Sequence, residues 1–224
     1  MTHRRNLTLA LATLGLVAGA SLARADVLFD NTTQSQDGFF SLNGGGPTFP
    51  GDTVGQSFGY SGGTITNITL GLSGDPTSAG SFTLAVVGNA SGNVPDLSTV
   101  YYSTTVLDST LSGGTSAATL VSFPVSISGL AVGNDWVVLE GNATTASNWW
   151  FSNSTASSSG PPIIDQYYYA LSLGGSTPVN DTNSPGAQIL SVTASVATAE
   201  PATMAVLGVG LAGLVLARRR RRAA

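Results

Sequence analysis

The sequence predicts an all-β fold, an antiparallel β-sandwich or jelly roll, flanked by an N-terminal signal helix and a C-terminal transmembrane helix. Short runs of alternating apolar residues recur through the middle of the chain, separated by Gly, Asn, Ser and Pro. Their spacing of roughly 10 to 15 residues, with turn residues in the gaps, is typical of β-sandwiches. No stretch before the C-terminal tail combines a helical period with caps, and this favours strands throughout the middle.

The N-terminus, residues 1–25, has the three-part build of a secretory signal peptide. Two arginines precede an apolar run over residues 7–22, and the small residues Ala23 and Ala25 occupy the positions that a signal peptidase inspects. We therefore expect the mature chain to begin at Asp26. An uncleaved N-terminal anchor is the alternative.

Residues 26–196 are predicted to form the exported β domain. Pro124 interrupts one of the runs, which indicates an edge strand or a bulge. The run 136–139 is apolar at every position and therefore predicts a central strand, buried on both faces. The predicted strands are 54–60, 68–72, 82–86, 102–106, 120–127, 136–139, 149–151, 167–173 and 190–196.

The charges are divided sharply along the chain. All eight basic residues are arginines within the first 24 or the last seven residues, the single histidine is His3, and there is no cysteine. Eleven of the twelve carboxylates lie between residues 26 and 199, so that span has a formal charge of −11. Nucleic-acid binding, which needs cations against phosphate, is therefore excluded for the exported domain. Ser-His-Asp or Cys-His catalysis and zinc sites lack their residues as well.

The carboxylates are scattered, and most stand beside turn residues, where Asp bonds its own backbone. We predict no catalytic residue, no cofactor and no metal site, although a single structural calcium ion remains open. A glycoside-hydrolysing enzyme is a remote alternative, because it would need two carboxylates about 5 to 10 Å apart in a cleft.

Two aromatic triplets are the candidates for a surface that contacts glycans, because aromatic faces stack on sugar rings. Adjacent strand residues point to opposite faces, so at least one ring of each triplet could be exposed. The competing interpretation is that these rings fill the sandwich core. The candidate residues are Trp149, Trp150, Tyr167, Tyr168 and Tyr169.

The last segment, residues 197–224, combines a short motif, an apolar helix and a basic cluster. Residues 201–217 are uncharged and would form a helix of roughly 25 Å, which can span a bilayer with snorkelling and local thinning. We place the transmembrane helix at 202–217. The motif residues are Ala199, Glu200, Pro201, Ala202 and Thr203, and the stop-transfer cluster is Arg218, Arg219, Arg220, Arg221 and Arg222.

This order of parts resembles the PEP-CTERM sorting signal of exported bacterial proteins. The chain departs from the family at Ala199, where the name-giving Pro-Glu-Pro has its first proline. The resemblance implies an exosortase-type membrane protease as partner, a membrane anchor before processing near Glu200–Pro201, and display on the cell surface or release afterwards. It also implies extracellular polysaccharide or biofilm matrix as the setting. A plain, permanent membrane anchor is the alternative interpretation of the tail.

A second resemblance covers about residues 50–155, which are similar to a choice-of-anchor domain of type R, an extracellular β module found upstream of sorting tails. The family offers no catalytic residues to carry over. We therefore expect an exported, non-enzymatic surface or matrix protein, with a carbohydrate-binding module as the alternative. The segments that carry the resemblance are 55–58, 65–72, 81–87, 92–97 and 136–139.

Overall fold

Thirteen β-strands and one short 3₁₀ turn make up the part of the chain that the structure, a computed structural model, describes. The described residues are 23–42, 52–112, 114, 117–142, 144–152, 167–171, 179–181 and 187–197. The predicted signal helix and transmembrane helix lie outside these residues. Among the described residues, none forms a helix with the length and hydrophobicity that a bilayer span requires.

One sheet has seven strands, with β4 as its longest and most connected member. β4 pairs with β7 along one edge, and with β13 and then β9 along the other, all antiparallel. β1 lies beside β13, and β9 also pairs with β2 and β12. The strands are β1 (Ala23–Asp30), β2 (Gly38–Ser41), β4 (Thr64–Gly74), β7 (Thr119–Ile127), β9 (Ser147–Ser152), β12 (Ala187–Gln188) and β13 (Leu190–Ala197).

The second sheet has six strands in the order β11-β10-β3-β8-β5-β6. Its pairs are antiparallel, and the β5–β6 hairpin carries irregularities of register near Val86 and Val87. The 3₁₀ turn, Asp108–Thr110, directly follows β6. The strands are β3 (Asp52–Tyr60), β5 (Ser81–Ala90), β6 (Val94–Leu107), β8 (Gly133–Glu140), β10 (Tyr167–Leu171) and β11 (Val179–Asp181).

One apolar core draws alternate residues from both sheets, as a sandwich requires. Leu70 and Val192 come from the first sheet, Phe58 and Leu84 from the second, and all four are fully buried. A smaller cluster on the outer face of the second sheet contains Trp136 with Val87 and Val138. β8 therefore buries both its faces.

The predicted strand pattern agrees with this architecture. β8 lies between β3 and β5, which confirms that residues 136–139 form a central strand. β7, which contains Pro124, pairs only with β4 among the described strands and is an edge. The sequence did not predict β1, β2, β11 and β12, which are short or contain several polar residues. β1 begins at Ala23, so the two residues of the expected cleavage signal, Ala23 and Ala25, lie in a strand.

Candidate functional site

Three of the carboxylates close local turns. Asp30 Oδ1 accepts the backbone N–H of Thr32 at 2.9 Å and its hydroxyl at 2.7 Å. Asp75 and Asp96 make the same pair of bonds to the residue two positions later. Because the hydroxyl and backbone donors favour the ionised form, they hold the pKa of Asp75 and of Asp96 below the usual value. These side chains have the turn-forming role that the sequence predicted.

Asp108 is different, because it is completely buried at the junction of three segments. Its Oδ2 accepts the Ser78 hydroxyl at 3.0 Å and the Ala146 backbone N–H at 2.6 Å. Its Oδ1 accepts the hydroxyl of Ser147. Asp108 is closed off from solvent and accepts hydrogen bonds from three donors, two of which belong to residues at the start of β9. It therefore connects the end of β6 to the start of β9, and we assign it a structural role.

Asp135 is the second buried carboxylate, and its side chain is 1 % exposed. It alternates along β8 with the core residues Val137 and Leu139 and pairs across the sheet with Phe58, so it points inward. Its Oδ2 has no hydrogen-bond partner among the described residues. Burial raises the pKa of Asp135 to about 7.

A carboxyl group with such a raised pKa is typical of a general acid when it lines a cleft. Asp135 faces the core instead, where a substrate does not reach it. Burial, and secondarily the charge of Asp135, also raise the pKa of Tyr60, whose hydroxyl donates to the Gly63 carbonyl at 2.6 Å. The described residues contain no group of three carboxylates or histidines that could hold a metal ion.

Buried amides connect the two sheets. Gln56 on β3 accepts the backbone N–H of Gln188 on β12 at 3.0 Å, and Asn31 donates to the Gln188 carbonyl at 2.9 Å. Asn31 also accepts the backbone N–H of Leu190 at 2.8 Å. The carboxamide of Gln188 is fully buried and has no partner among the described residues. Sequence patterning missed this cluster, since Asn and Gln at these positions resemble ordinary turn or edge residues.

The two tryptophans proposed for glycan contact are buried. Trp149 is 0 % exposed and belongs to the core, and its indole N–H donates to the Ile189 carbonyl at 3.0 Å. Trp150, on the opposite face of β9, is 7 % exposed and donates to Ser73 Oγ at 2.8 Å. Neither indole offers a free face to a sugar ring, because both side chains are buried. Stacking of a glycan on Trp149 or Trp150 would require these rings to be exposed, which they are not.

The tyrosine triplet, Tyr167, Tyr168 and Tyr169, forms most of β10 and pairs with β3 and β11 through its backbone. The side chains of these residues lie outside the described part of the structure. Their proposed contact with glycans stays a prediction.

A cleft of about 430 Å³ opens at one end of the seven-stranded sheet. Among the residues that line the cleft, Asp75 is charged, and Asn148 and Ser41 have polar side chains. The Asn148 carboxamide also donates a hydrogen bond to Ser73 Oγ at 3.3 Å. The same oxygen accepts the indole N–H of Trp150. An ionised carboxylate, a carboxamide and a hydroxyl without a neighbouring cation suit a neutral, hydroxyl-rich ligand. The lining residues are Ser41, Gly74, Asp75, Pro76, Gly114, Ala146 and Asn148.

The sorting and stop-transfer residues, 199–203 and 218–222, lie outside the described residues. Their position in the chain is nevertheless informative, because β13 ends at Ala197. β13 is an internal strand, between β1 and β4, so the described sheet is complete before the motif begins.

Comparison with known proteins identifies the tail. Residues 198–222 match the model of the PEP-CTERM protein-sorting motif. No curated protein and no solved structure matches the chain. The motif implies an exported protein that is anchored in the membrane before processing and is recognised by exosortase, a membrane protease. The chain therefore carries, directly after its last described strand, a PEP-CTERM sorting signal.

Proposed function

We propose that this protein is a non-enzymatic β module for the bacterial cell surface or extracellular matrix, delivered there by exosortase processing of its tail. The observation that carries the proposal is the sorting motif at residues 198–222, which follows β13 without a linker domain. Cleavage near Glu200–Pro201 would remove the apolar segment and all five C-terminal arginines. It would leave every described strand in place.

The charge distribution supports the matrix setting. After loss of both ends the domain has no cation and a formal charge of −11. Such a surface repels other polyanions and stays soluble at high protein density. A setting rich in extracellular polysaccharide agrees with this property, and the resemblance to a choice-of-anchor domain agrees with a role in display.

The absence of enzymatic activity is part of the proposal and has its own support. Asp108 is fully buried and Asp135 faces the core, while the other carboxylates with described bonds close turns or contact serines. A retaining or inverting glycosidase needs two carboxylates that flank one substrate bond. Turnover of a glycan by the secreted protein would contradict the proposal.

The intact mass of the surface-associated protein tests the processing step. We expect a C-terminus near Glu200 in a host that has an exosortase, and the full tail with its arginines in a strain from which that protease is deleted. Glu200→Ala should leave the tail attached, whereas Thr193→Ala, in β13 upstream of the motif, should be processed normally. Ala199→Pro restores Pro-Glu-Pro and should raise the processed fraction. A retained arginine cluster in both strains would show a permanent anchor.

The cleft beside Asp75 favours a second candidate function, the binding of a neutral glycan. Asp75 and Asn148 could bridge adjacent hydroxyls of one sugar, since a carboxylate accepts and a carboxamide both donates and accepts. Titration calorimetry with a neutral polysaccharide tests it. Binding that is lost in Asp75→Ala and retained in Asp96→Ala, a turn carboxylate outside the cleft, would support this function.

A further inference from the structure

The first and the last of the described strands lie side by side in the seven-stranded sheet. β1 pairs with β13, and both strands have eight residues. Asn31, which directly follows β1, donates its backbone N–H to the carbonyl of Leu190, the first residue of β13, at 3.1 Å. The end of β1 therefore meets the start of β13, so the two strands run antiparallel.

The other end of this strand pair brings the two predicted processing sites close together. Because the strands are antiparallel and equally long, Ala23 and Arg24 at the start of β1 lie beside Val196 and Ala197 at the end of β13. These four residues also belong to one compact unit of the chain. The predicted signal cleavage after Ala25 and the sorting motif therefore adjoin the same end of one strand pair.

The last two residues of β13 depend on β1 for their place in the described sheet. On the other side of β13, the pairing with β4 stops at Ser195 opposite Thr64, where β4 begins. Val196 and Ala197 extend past that point, so β1 is their one strand partner among the described strands.

The part of β1 that pairs with this end of β13 is removed with the predicted signal peptide. Residues 23–25 belong to β1 but precede the expected mature start at Asp26. Arg24 and Ala25 are exposed, whereas Leu28 and Phe29, farther along β1, are buried in the core. Signal cleavage would therefore leave the core contacts of β1 intact and take away the strand partner of residues 196–197.

The last paired residue of β13 sets the length of free chain before the sorting motif. With β13 paired up to Ala197, Glu200 is three residues from the sheet, at most roughly 11 Å. With pairing only up to Ser195, Glu200 is five residues away, at most roughly 18 Å. A protease draws the chain around the bond that it cuts into its own cleft, so cleavage depends on how readily that chain is free of the sheet.

We propose that removal of the signal peptide enables cleavage of the tail by exosortase, because it frees residues 196–197 from their pairing with β1. In the precursor, Ala23 and Arg24 keep the chain before the sorting motif in the sheet, and in the mature chain they are gone. The two processing steps then have a fixed order, the signal first and the tail second. This inference rests on the proposed exosortase processing and on the predicted cleavage after Ala25.

A precursor that keeps its signal peptide tests the order. Ala23→Leu combined with Ala25→Leu places large residues at the positions that a signal peptidase inspects and should block that cleavage. In a host with an exosortase, intact mass should then show a processed fraction at least about ten times lower than that of the natural chain. The matched rescue inserts Gly-Ser-Gly-Ser after Ala197 in the same double variant. It lengthens the free chain without changing β1 and should restore processing.

Hydrogen exchange measures the strand contact itself, in a strain from which the exosortase is deleted, so that both chains keep their tails. The backbone of residues 196–197 should exchange at least about ten times more slowly in the double variant than in the natural chain, whose signal has been removed. Val192, in the part of β13 that lies between β1 and β4, is the internal control. Its amide should be equally protected in both chains, which also shows that the double variant is folded.

Normal tail processing in the double variant, or equal exchange of residues 196–197 in the two chains, would overturn the inference. An inserted linker that fails to restore processing would also overturn it, since the retained tail would then have another cause than the short free chain. The same holds for a natural chain that loses its tail while it keeps residues 1–25. A natural chain that keeps its tail in the host with an exosortase is a distinct result, because it contradicts the proposed processing itself.

Discussion

Gln56 and Gln188 join the two sheets of the sandwich through a hydrogen bond of 3.0 Å, from the Gln188 backbone N–H to Gln56 Oε1. Both residues are 1 % exposed or less. The bond satisfies a buried backbone donor that the short strand β12 leaves facing the interior, and the loss of such a partner is costly away from water.

Gln56→Leu should therefore lower the free energy of unfolding by about 1 to 3 kcal/mol, because the Gln188 N–H loses its acceptor. Chemical denaturation followed by tryptophan fluorescence measures the change. Gln36→Leu is the matched control, since Gln36 bonds Ala118 at the exposed surface, where water replaces the lost bonds. A control as destabilised as the test variant would mean that the burial of Gln56 is not the cause.

Asp108→Asn should destabilise the domain by about 2 to 3 kcal/mol. Both Asp108 oxygens accept hydrogen bonds, from Ser78, Ala146 and Ser147, and an amide N–H₂ in place of one oxygen cannot accept them. The midpoint of urea unfolding measures the loss. Asp75→Asn should change the midpoint only slightly, since Asn can accept the same turn bonds from Thr77. Unchanged stability in Asp108→Asn would contradict the assigned structural role.

Asp135 should make the domain less stable as the pH rises from about 4 to about 7. The folded protein holds the Asp135 proton up to about pH 7, whereas the unfolded chain loses it near 3.8, so the folded state binds more protons between these values. Asp135→Asn removes this contribution.

We expect Asp135→Asn to be more stable than the natural protein by more than about 1 kcal/mol at pH 8, with the difference shrinking toward pH 4. Denaturation curves across this pH range provide the measurement. Glu140→Gln, an exposed carboxylate on the same strand, controls for the loss of one negative charge. A stability difference that does not vary with pH would refute the buried, protonated state of Asp135.

Trp150→Ala should cost about 3 to 5 kcal/mol of stability, the usual range for truncating a buried tryptophan. Phe39, whose ring centroid lies 5.2 Å from that of Trp150, is 37 % exposed, and Phe39→Ala should cost distinctly less. Thermal unfolding of the two variants provides the comparison. A Trp150→Ala protein that folds normally but loses glycan binding would restore the interpretation that the present burial argues against.

The alternation of apolar residues was sufficient to predict most of the long strands. Phe82, Leu84 and Val86 lie on the inward face of β5, and the continuous run 136–139 became the central strand β8. The same alternation places Asp135 on the inward face with Val137 and Leu139, so its burial was present as a signal that the sequence interpretation did not use. The Asp108 cluster had no such signal, because its donors come from Ser78 and from residues 146–147, far apart in the chain.

Composition and short contiguous motifs were enough to locate the sorting signal at residues 198–222 and to predict an export signal at the N-terminus. The missing cations of residues 26–199 likewise exclude functions that need them. The sequence by itself also determined the β class, since side-chain period is a local property. The burial of Trp149 and Trp150, the interior position of Asp108 and Asp135, and the strands at the edges of the described sheets became apparent only in the folded chain. Each of those depends on which distant segments pack together, and the free energy of that packing is not encoded in any one stretch of the chain.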